Sequence, residues 1–505
     1  MSRKKRFFYN GILLTLVGLA IRSVSMAFNS FVSTRVGAEG IGLFTLIMTV
    51  YSFAVTFASS GISLTVTRLV ASAVGEGNVG KIKGIMRSAV LYSLIFSVFA
   101  SLVLFFGAGY FGAGVLGDER AVSSLRILSF SLIPMSLSSV FGGYFVGVKR
   151  VAKNAVVQVS AQAFRILITV FLVLELFSGG IEQTTEALCL SITATELLAF
   201  LVSLFQYLLD KKEGDIPRGY TAFPEVAAMA LPLALSAYIR SALLTLEHVL
   251  IPKRLMKWGA DTAEALSLYG ILHGMALPIL LYPMAVLSSF SGLLVPEFAE
   301  SLAASDKERM RRIATEAINL TLTYSVGVMA FLFVFSEELG YAVYSSYSVG
   351  HYASLMAIVV PIMYLDHLTD SMLKGLGEQV YSMWVNISDS VLSVLLIWFL
   401  IPRMGIAGYA VVIIVMEGYN FILSALRLRK RIRFSVDPLR SILFPLLSAF
   451  ISAYLCDRIF INGGEFVSPI WLITKMIFSA TAFIGSLMLI KKIKFPTFTH
   501  KKSKI

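Results

Sequence analysis

Long apolar stretches separated by short polar breaks run along almost the whole chain. A helix needs roughly 20 apolar residues to cross a bilayer core, and windows of that length recur between the breaks. An outer-membrane barrel would instead show short segments of alternating polarity. The pattern therefore predicts an all-α polytopic membrane protein with about 14 transmembrane helices. We expect them near 9–33, 41–66, 86–110, 121–147, 154–177, 184–209, 225–250, 264–292, 314–336, 352–373, 380–401, 405–426, 437–460 and 468–490.

Several features of the sequence recur after 228 residues. A shift of 228 residues aligns Gly147 with Gly375. The polar stretch 76–87 has its counterpart in 301–312. The second stretch has the pattern of an amphipathic helix on the membrane surface. An even number of spans per half would make the two halves a parallel repeat. The predicted organisation is two pseudo-symmetric six-helix lobes, 1–215 and 216–430, followed in 431–505 by two C-terminal helices and a basic cytoplasmic tail.

The charge of the chain supports this topology. Charged residues make up 14% and hydrophobic residues 57% of the 505 positions, whereas soluble domains are about 25% charged. With the N-terminus inside, about 31 of the 43 Lys and Arg residues fall in inside segments and about 7 in outside loops. Cytoplasmic loops carry such an excess. We therefore predict a multi-pass protein with both termini in the cytoplasm, and we assign the net charge of +13 to topology rather than to a nucleic-acid partner.

The sequence lacks the motifs that are typical of several classes of function. Cys189 and Cys456 lie far apart in apolar runs, and the five histidines have no metal-ligand spacing, so we predict no disulfide and no metal site. The sequence has neither a phosphate-binding Gly-rich loop with Lys nor a His-Glu-x-x-His motif. We expect no cofactor and no enzyme activity. A membrane glycan polymerase or ligase stays a third alternative, but the loops 253–263 and 337–350 are small for its catalytic residues.

Polar side chains recur at spacings of three and four in three predicted helices, so each set lies on one helix face. Polar groups inside a bilayer face a partner or a cavity rather than lipid. These faces are expected to line either a helix–helix seam or a water-filled cavity. The sets are Arg22, Ser25 and Asn29; Gln158, Gln162, Arg165 and Thr169; and Ser382, Asn386, Asp389 and Ser393.

Basic residues in several predicted helices, together with polar neighbours, form our candidate substrate site. Arginine suits a pyrophosphate because its planar fork makes two parallel charge-assisted bonds. The alternative is an internal ion pair, such as Arg240 with Glu247, that only ties helices together. The candidate substrate-binding residues are Arg22, Asn29, Gln158, Gln162, Arg165, Arg240 and His273. The candidates for coupling to a proton or cation are Asp366, Asp370, Asp389 and Glu417. The alternative for Asp366 and Asp370 is that they are solvated charges near the end of a span, with no role in coupling.

Short motifs in a fixed order carry a family resemblance. They are Arg35–Phe44, Gly61-Ile62, Arg68–Ala71, Gly143–Gly147, Gln158 with Gln162 and Arg165, Tyr269-Gly270, Gly274–Ala276, Val295-Pro296, Ala299-Glu300 and Gly405–Gly408. The sequence resembles the stage V sporulation protein B branch of the polysaccharide transporters. These belong to the multidrug/oligosaccharidyl-lipid/polysaccharide exporter superfamily, which includes the lipid II flippases.

The resemblance implies a V-shaped pair of six-helix lobes that work by alternating access. It also implies an undecaprenyl-pyrophosphate-linked glycan as cargo, with Arg22 and Arg165 at basic positions of the branch. Two positions depart from the family pattern: Asn29 stands where a second basic residue is expected, and Ala161 where an acidic residue is expected. The departures leave the cargo and the coupling ion open.

Together these observations predict a flippase for a lipid-linked oligosaccharide, lipid II or a related cell-wall precursor, in the bacterial cytoplasmic membrane. The alternative is a multidrug or organic-cation antiporter of the same superfamily, which would have an acidic cavity. Expected partners are the lipid-linked oligosaccharide and membrane lipid, and cell-wall synthesis enzymes are further candidates.

Overall fold

The computed structural model describes residues 3–59, 61–176, 179–210, 222–460 and 469–492. Every regular element in this part of the chain is helical. Four π-helical segments (Tyr110–Leu116, Leu172–Leu176, Gly270–Ala276 and Leu439–Leu443) and a 3₁₀ turn at Ala357–Val359 interrupt or extend the α-helices. The α-helices are α1 (Arg3–Ser59), α2 (Ile62–Gly75), α3 (Val79–Gly109), α4 (Arg120–Ser129), α5 (Leu132–Gly147), α6 (Val151–Phe171), α7 (Gly180–Asp210), α8 (Phe223–Trp258), α9 (Thr262–Tyr269), α10 (Leu277–Leu281), α11 (Met284–Ala303), α12 (Lys307–Tyr344), α13 (Tyr347–Met356), α14 (Val360–Gly375), α15 (Gln379–Met404), α16 (Ile406–Arg431), α17 (Phe444–Ile459) and α18 (Pro469–Lys492).

The number of membrane-crossing helices agrees with the sequence pattern. In the described residues, 12 helical stretches are long and apolar enough to cross a membrane, or 13 if α4 and α5, bent by 41°, form one span. One of the 12 is the 54-residue run Arg22–Gly75, which contains the predicted helix 41–66 and the end of the predicted helix 9–33. Gly37 breaks α1 with φ 66° and ψ −171°, a conformation that glycine adopts at little cost. Counting both sides of this break gives 14 helices, and the all-α fold class is confirmed.

The predicted span 264–292 is not one continuous helix. Its first part comprises α9, a π-helical segment and α10, and α11 begins only at Met284. Proline lacks a backbone N–H and clashes with the preceding turn, and Pro283 stands at this break. The prediction of a single helix was wrong, and Pro283 was the signal that contradicted it.

The stretch 301–312 does not form a separate surface helix, so this prediction was also wrong. It contains the end of α11 and the start of α12. Ser305 has a left-handed backbone with φ 55°, and the Asp306 side chain accepts a hydrogen bond from the backbone N–H of Arg309. A left-handed residue ends one helix and an N-cap begins the next, so the polar stretch is the turn between them.

By its internal contacts the chain divides into two compact units. We call residues 28–274 with 383–412 the first unit, and residues 1–27, 275–382 and 413–505 the second unit. The boundaries of the two predicted six-helix lobes differ from these units and stay a prediction. The basic tail 493–505 and residues 211–221 between α7 and α8 lie outside the described residues.

The core of the first unit forms where α2, α3, α5 and α8 pack together. Ile62, Val66 and Val70 on α2 are fully buried and belong to one apolar cluster with Tyr92 of α3. Glycine permits the close approach of α2 and α5. A Cβ on Gly143 would lie 2.6 Å from the backbone oxygen of Ser63, so a larger residue there would force the two helices apart.

The core of the second unit lies between α11, α12 and α14. Phe298, Ala314 and Met372 are fully buried in one cluster. The two C-terminal helices α17 and α18 pack on α12. Lys475 on α18 joins them, because its ammonium contacts Glu338 of α12 at 2.8 Å and Asp457 of α17 at 2.7 Å.

Local geometry repeats at the predicted interval of 228 residues. Gly77 and Ser305 have left-handed backbones with φ 69° and 55°, as do Lys149 and Gly377 with φ 61° and 78°. Gly147 and Gly375 each pack closely against another helix, and the residues they meet are also 228 positions apart. These neighbours are Thr67 and Val70 for Gly147, and Val295 and Phe298 for Gly375.

The ends of α7 and α16 carry ion pairs of opposite polarity. At the end of α7, Asp210 is an acid whose side chain is 4% exposed, and it contacts Arg150 and, at 2.9 Å, Lys153. In the second unit the polarity is exchanged: Glu378 precedes α15 and contacts Arg427 at 2.8 Å near the end of α16. Arg150 and Glu378 are 228 positions apart. The same link between neighbouring helices is therefore made with charges exchanged.

Candidate functional site

The first unit contains a cavity of about 460 Å³ whose wall is about half polar and half apolar. Helices α5, α6 and α7 form most of it, and α2 contributes one residue. The lining residues are Ser63, Met135, Ser138, Ser139, Gly142, Val146, Asn154, Val157, Gln158, Ala161, Gln162, Arg165, Ile192, Thr195, Glu196 and Ala199. Three of the seven predicted substrate-binding residues are among them.

Those three, Gln158, Gln162 and Arg165, lie on one face of α6, as their spacing predicts. Gln158 is exposed, while Gln162 and Arg165 are half-buried. Thr169, one turn beyond Arg165, is buried and bonds to Ser191 of α7 at 2.8 Å. The polar face therefore has two parts. Thr169 links α6 to α7 by a hydrogen bond, whereas Gln158, Gln162 and Arg165 line the cavity.

Glu196 is a charged residue of the cavity that the sequence did not reveal. It lies half-buried on α7 and interacts electrostatically with Arg165. The guanidinium of Arg165 also lies 5.9 Å from the ring centroid of Phe28, within the range of a cation–π contact. An acidic residue inside a predicted span was the available signal for Glu196. Glu196 supplies an acid to the same cavity that Ala161 lines, and Ala161 stands where the family pattern has an acidic residue.

Asn29 binds a backbone carbonyl that lacks its usual helical partner. Its amide donates to the Gly274 oxygen at 3.0 Å. In a regular helix the N–H four residues on would fill this role, but that residue is Pro278, which has none. Asn29 therefore completes the backbone hydrogen bonding of the segment that follows α9.

Arg22 serves the break between α10 and α11 in a similar way. Its Nη1 donates to the Leu281 oxygen, while the N–H of Ala285, which would normally reach that oxygen, bonds to Tyr282 instead. Tyr364 bonds to the oxygen of Leu280 at 2.8 Å. Arginine carries five N–H donors, so this bond leaves most of the fork of Arg22 for other contacts.

The remaining two candidate substrate residues do not line the cavity. Arg240 is exposed on α8. The carboxylate of Glu247, which the sequence offered as its ion-pair partner, accepts a hydrogen bond from Ser393 at 2.8 Å. His273 lies in the π-helical segment Gly270–Ala276 and bonds to Tyr409.

The four candidate coupling carboxylates lie on three helices. Asp366 and Asp370 on α14 are half-buried, and Asp370 contacts Lys374 at 2.6 Å. One side-chain oxygen of Asp366 is buried without a hydrogen-bond partner in the described structure. Asp389 on α15 and Glu417 on α16 are both half-buried.

A protein-family model described as polysaccharide biosynthesis protein matches residues 7–302, more than half of the chain. The chain belongs to this family. A second model, MatE, matches residues 262–399. Stage V sporulation protein B of Bacillus subtilis (strain 168) is 26% identical over 421 residues, covering 81% of each chain. Lipid II flippase MurJ of the same organism is 24% identical over 340 residues, covering 61% of this chain and 60% of the relative.

Solved structures agree on the fold. A lipid II flippase MurJ in an inward closed conformation matches with a TM-score of 0.71 at 13% identity, covering 96% of this chain and 98% of that one. An inward-facing multidrug resistance transporter of the MATE family matches with a TM-score of 0.67 at 15% identity, covering 83% and 98%. The predicted family is confirmed: the chain is a multi-pass membrane transporter of the stage V sporulation protein B-like branch of the multidrug/oligosaccharidyl-lipid/polysaccharide exporter superfamily.

Proposed function

We propose that this transporter moves an undecaprenyl-pyrophosphate-linked oligosaccharide, lipid II or a related cell-wall precursor, across the bacterial cytoplasmic membrane. The observation that carries the proposal is the cavity in which Arg165 lies beside Gln158 and Gln162. A volume of about 460 Å³ falls within the usual range for small-molecule sites. It would take part of a glycan headgroup while the lipid chain stays in the bilayer.

The chemistry of the cavity suits a sugar linked to an anion. A guanidinium binds phosphate oxygens through two parallel charge-assisted hydrogen bonds. The amides of Gln158 and Gln162 offer both donors and acceptors, which sugar hydroxyls require. Serine and threonine hydroxyls at Ser138 and Thr195 extend the same wall. Glu196 would hold Arg165 in the empty cavity and release part of its fork when an anionic headgroup enters.

The relatives point in the same direction. One of them is named a lipid II flippase, and the family resemblance implies alternating access. In this proposal both termini are cytoplasmic, and the cargo enters the cavity from that side. Arg22, Asn29, Arg240 and His273 stay candidate substrate contacts, and Asp366, Asp370, Asp389 and Glu417 stay candidates for ion coupling. Cell-wall synthesis enzymes stay candidate partners.

Glu196 favours a second candidate, an antiporter of organic cations or drugs. A carboxylate in a cavity would bind a cationic drug, and one similar structure is a multidrug resistance transporter. The two candidates assign opposite roles to the same pair of charges. In the flippase Arg165 binds cargo and Glu196 positions it, whereas in the antiporter Glu196 binds cargo and Arg165 stabilises the empty state.

Native mass spectrometry of the purified full-length protein with undecaprenyl-pyrophosphate lipids distinguishes the flippase from the antiporter. Loss of a charge-assisted bidentate contact costs about 1.5–3 kcal/mol, so Arg165→Ala should weaken binding about 10- to 100-fold. Glu196→Gln should bind these lipids at least as tightly as the wild type. Arg403→Ala is a matched control, because that arginine is exposed at the end of α15.

Each result has a definite meaning. Lipid binding that Arg165→Ala leaves unchanged would contradict the flippase proposal. Binding of an organic cation such as ethidium that is lost in Glu196→Gln, without binding of the lipids, would support the antiporter. Transport in proteoliposomes should follow the same order of variants, since cargo that does not bind is not moved.

A further inference from the structure

A second group of titratable side chains lies in the first unit, outside the cavity wall. We call it the His–Tyr cluster, and it consists of His248 on α8, Tyr269 at the end of α9, His273 in the following π-helical segment and Tyr409 on α16. Tyr269 and Tyr409 are 0% and 2% exposed, and both histidines are half-buried. Four titratable side chains from four elements therefore meet inside a transporter.

Each imidazole in the cluster is bonded to a different tyrosine. The Tyr269 hydroxyl lies 3.0 Å from His248 Nδ1, and the Tyr409 hydroxyl bonds to His273 Nε2. The two imidazole rings lie edge to face, with centroids 4.7 Å apart and an interplanar angle of 75°. The rings thus form a pair, and a tyrosine hydroxyl binds one nitrogen of each.

Close helix packing fixes the segment that carries Tyr269 and His273. A Cβ on Gly42 of α1 would lie 2.0 Å from the Leu266 oxygen, and a Cβ on Gly274 would lie 2.1 Å from a methyl group of Ile41. Glycine at both positions lets the two backbones touch. Single π-helical turns occur frequently at functional sites, and this one holds His273.

Among the described residues, one carboxylate, that of Glu247, interacts with the cluster. Glu247 precedes His248 on α8, accepts a bond from Ser393 of α15, and interacts electrostatically with the hydroxyls of Tyr269 and Tyr409. From α1, Thr49 interacts with the hydroxyl of Tyr269. The basic residues along this face of α8 are Arg240 and Arg254, each about 10 Å from Glu247 by helix geometry. Arg240 is exposed, and the guanidinium of Arg254 stacks on Trp398.

These contacts allow the cluster to accept a proton without losing a hydrogen bond. A tyrosine hydroxyl donates to a neutral imidazole nitrogen and accepts from a protonated one. When His248 gains a proton, Tyr269 can turn its own hydrogen toward Thr49. The carboxyl group of Glu247 interacts electrostatically with both hydroxyls. Two imidazoles this close would repel each other if both were cationic, so the pair holds one proton at a time.

We propose that His248 and His273, with Tyr269, Tyr409 and Glu247, form a binding site for a single proton whose occupancy is linked to transport. A hydronium ion delivers the proton to an imidazole nitrogen, and water accepts it again, so no other reactant is needed. The site is separate from the cavity and from the coupling carboxylates on α14. Its link to transport rests on the proposed function, whereas proton binding does not.

The first test counts protons directly. Full-length protein labelled with ¹⁵N-histidine is placed in nanodiscs and titrated by NMR from pH 8 to 4.5. We expect one proton shared by the pair in the wild type, one in each of His248→Gln and His273→Gln, and none in the double variant. His351→Gln should not change the count, because His351 is exposed on α13. Two independent protonations, or none in the wild type, would overturn the proposal.

Two milder variants test the proposal even if the glutamine variants misfold. Tyr269→Phe and Tyr409→Phe keep the rings and remove one hydroxyl each. We expect each to change the ¹⁵N signals of its own imidazole and to shift the pH at which the pair takes up its proton. Signals and midpoints identical to those of the wild type would contradict the hydrogen bonds on which the proposal rests.

The link to transport is tested separately in proteoliposomes. An imposed pH gradient should change the wild-type transport rate severalfold, and the transport rate of the double glutamine variant should no longer depend on the gradient. An equal response in both proteins would overturn the link. If the histidines titrate as expected but no undecaprenyl lipid binds, the proposed cargo fails while the proton site stands.

Discussion

Asn78 and Asp306 cap two helices in the same way, 228 positions apart in the chain. The Oδ1 atom of each accepts a 2.9 Å hydrogen bond from the backbone N–H three residues further on, that of Lys81 and that of Arg309. A left-handed residue precedes each cap, as noted for Gly77 and Ser305. Two turns with the same dihedral signs and the same cap are independent structural support for the repeat that the sequence indicates.

Removing either cap should destabilise the protein by a similar amount. An N-cap side chain satisfies a backbone N–H that has no partner within the helix, and its loss costs about 1 kcal/mol. Asn78→Ala and Asp306→Ala should each lower the free energy of unfolding by about this amount, measured by thermal unfolding in detergent. Because the caps lie in different units, the double variant should show the sum. Asn78→Asp and Asp306→Asn keep a capping oxygen and should unfold like the wild type.

Helix packing in the first unit should be sensitive to one methyl group at Gly143. An added Cβ there would lie 2.6 Å from the Ser63 backbone oxygen, and overpacking of this kind costs about 1–3 kcal/mol. Gly143→Ala should therefore lower the unfolding temperature. Gly75→Ala is the matched control, because a Cβ at Gly75 would meet nothing within 4 Å and alanine favours the helix. Equal stability of the two variants would show that α2 and α5 can separate freely.

The helices and one face of the site followed from the sequence because both depend on local patterns. Apolar windows set the helices, and the spacing of Gln158, Gln162 and Arg165 sets one face of α6. The partners of these faces depend on other helices, so the sequence did not reveal them. Glu196 was missed for this reason, although its position within an apolar span was a usable signal.

The ion pair of Arg240 with Glu247, which the sequence offered as the alternative to a substrate role, shows the same limit. Their spacing puts both on one face of α8, yet Arg240 is exposed and Glu247 bonds to Ser393 on another helix. Asn29 is the contrasting example, because a proline identifies its partner. Pro278 leaves the oxygen of Gly274 without a helical N–H, and a nearby polar side chain inside the membrane is the expected replacement.

Lys475 should hold the two C-terminal helices to α12. Its side chain is 3% exposed and contacts two carboxylates. Breaking a fully buried ion pair costs roughly 3–5 kcal/mol; the cost here is smaller, because the two carboxylates left unpaired are 24% and 38% exposed. Lys475→Met should therefore lower the unfolding temperature and speed hydrogen exchange in α17 and α18. Arg458→Met removes a more exposed charge on α17 and should do neither. Unchanged exchange in Lys475→Met would contradict a clamping role.

The ion pair at Glu378 should make stability depend on acid pH. Glu378 precedes α15, outside the membrane-spanning stretches, and accepts hydrogen bonds from Arg427 at 2.8 and 3.1 Å and from Arg431 at 2.5 Å. The bonds from Arg427, and then those from Arg431, lower the pKa of this carboxyl below its ordinary value of 4.5. The folded state therefore favours the ionised form, and the unfolded state binds the proton more readily.

The sign of the effect follows from this difference. Above about pH 4.5 the ion pair contributes its full stability, and this contribution is lost as the pH falls through the folded pKa. The difference in unfolding temperature between wild type and Glu378→Gln should be largest near pH 7 and should shrink below pH 4.5. Glu308→Gln is the control, because its side chain is 81% exposed and exposed pairs contribute little. A difference for Glu378→Gln that stays constant from pH 7 to pH 3 would mean that the amide loses packing or hydrogen bonds rather than charge.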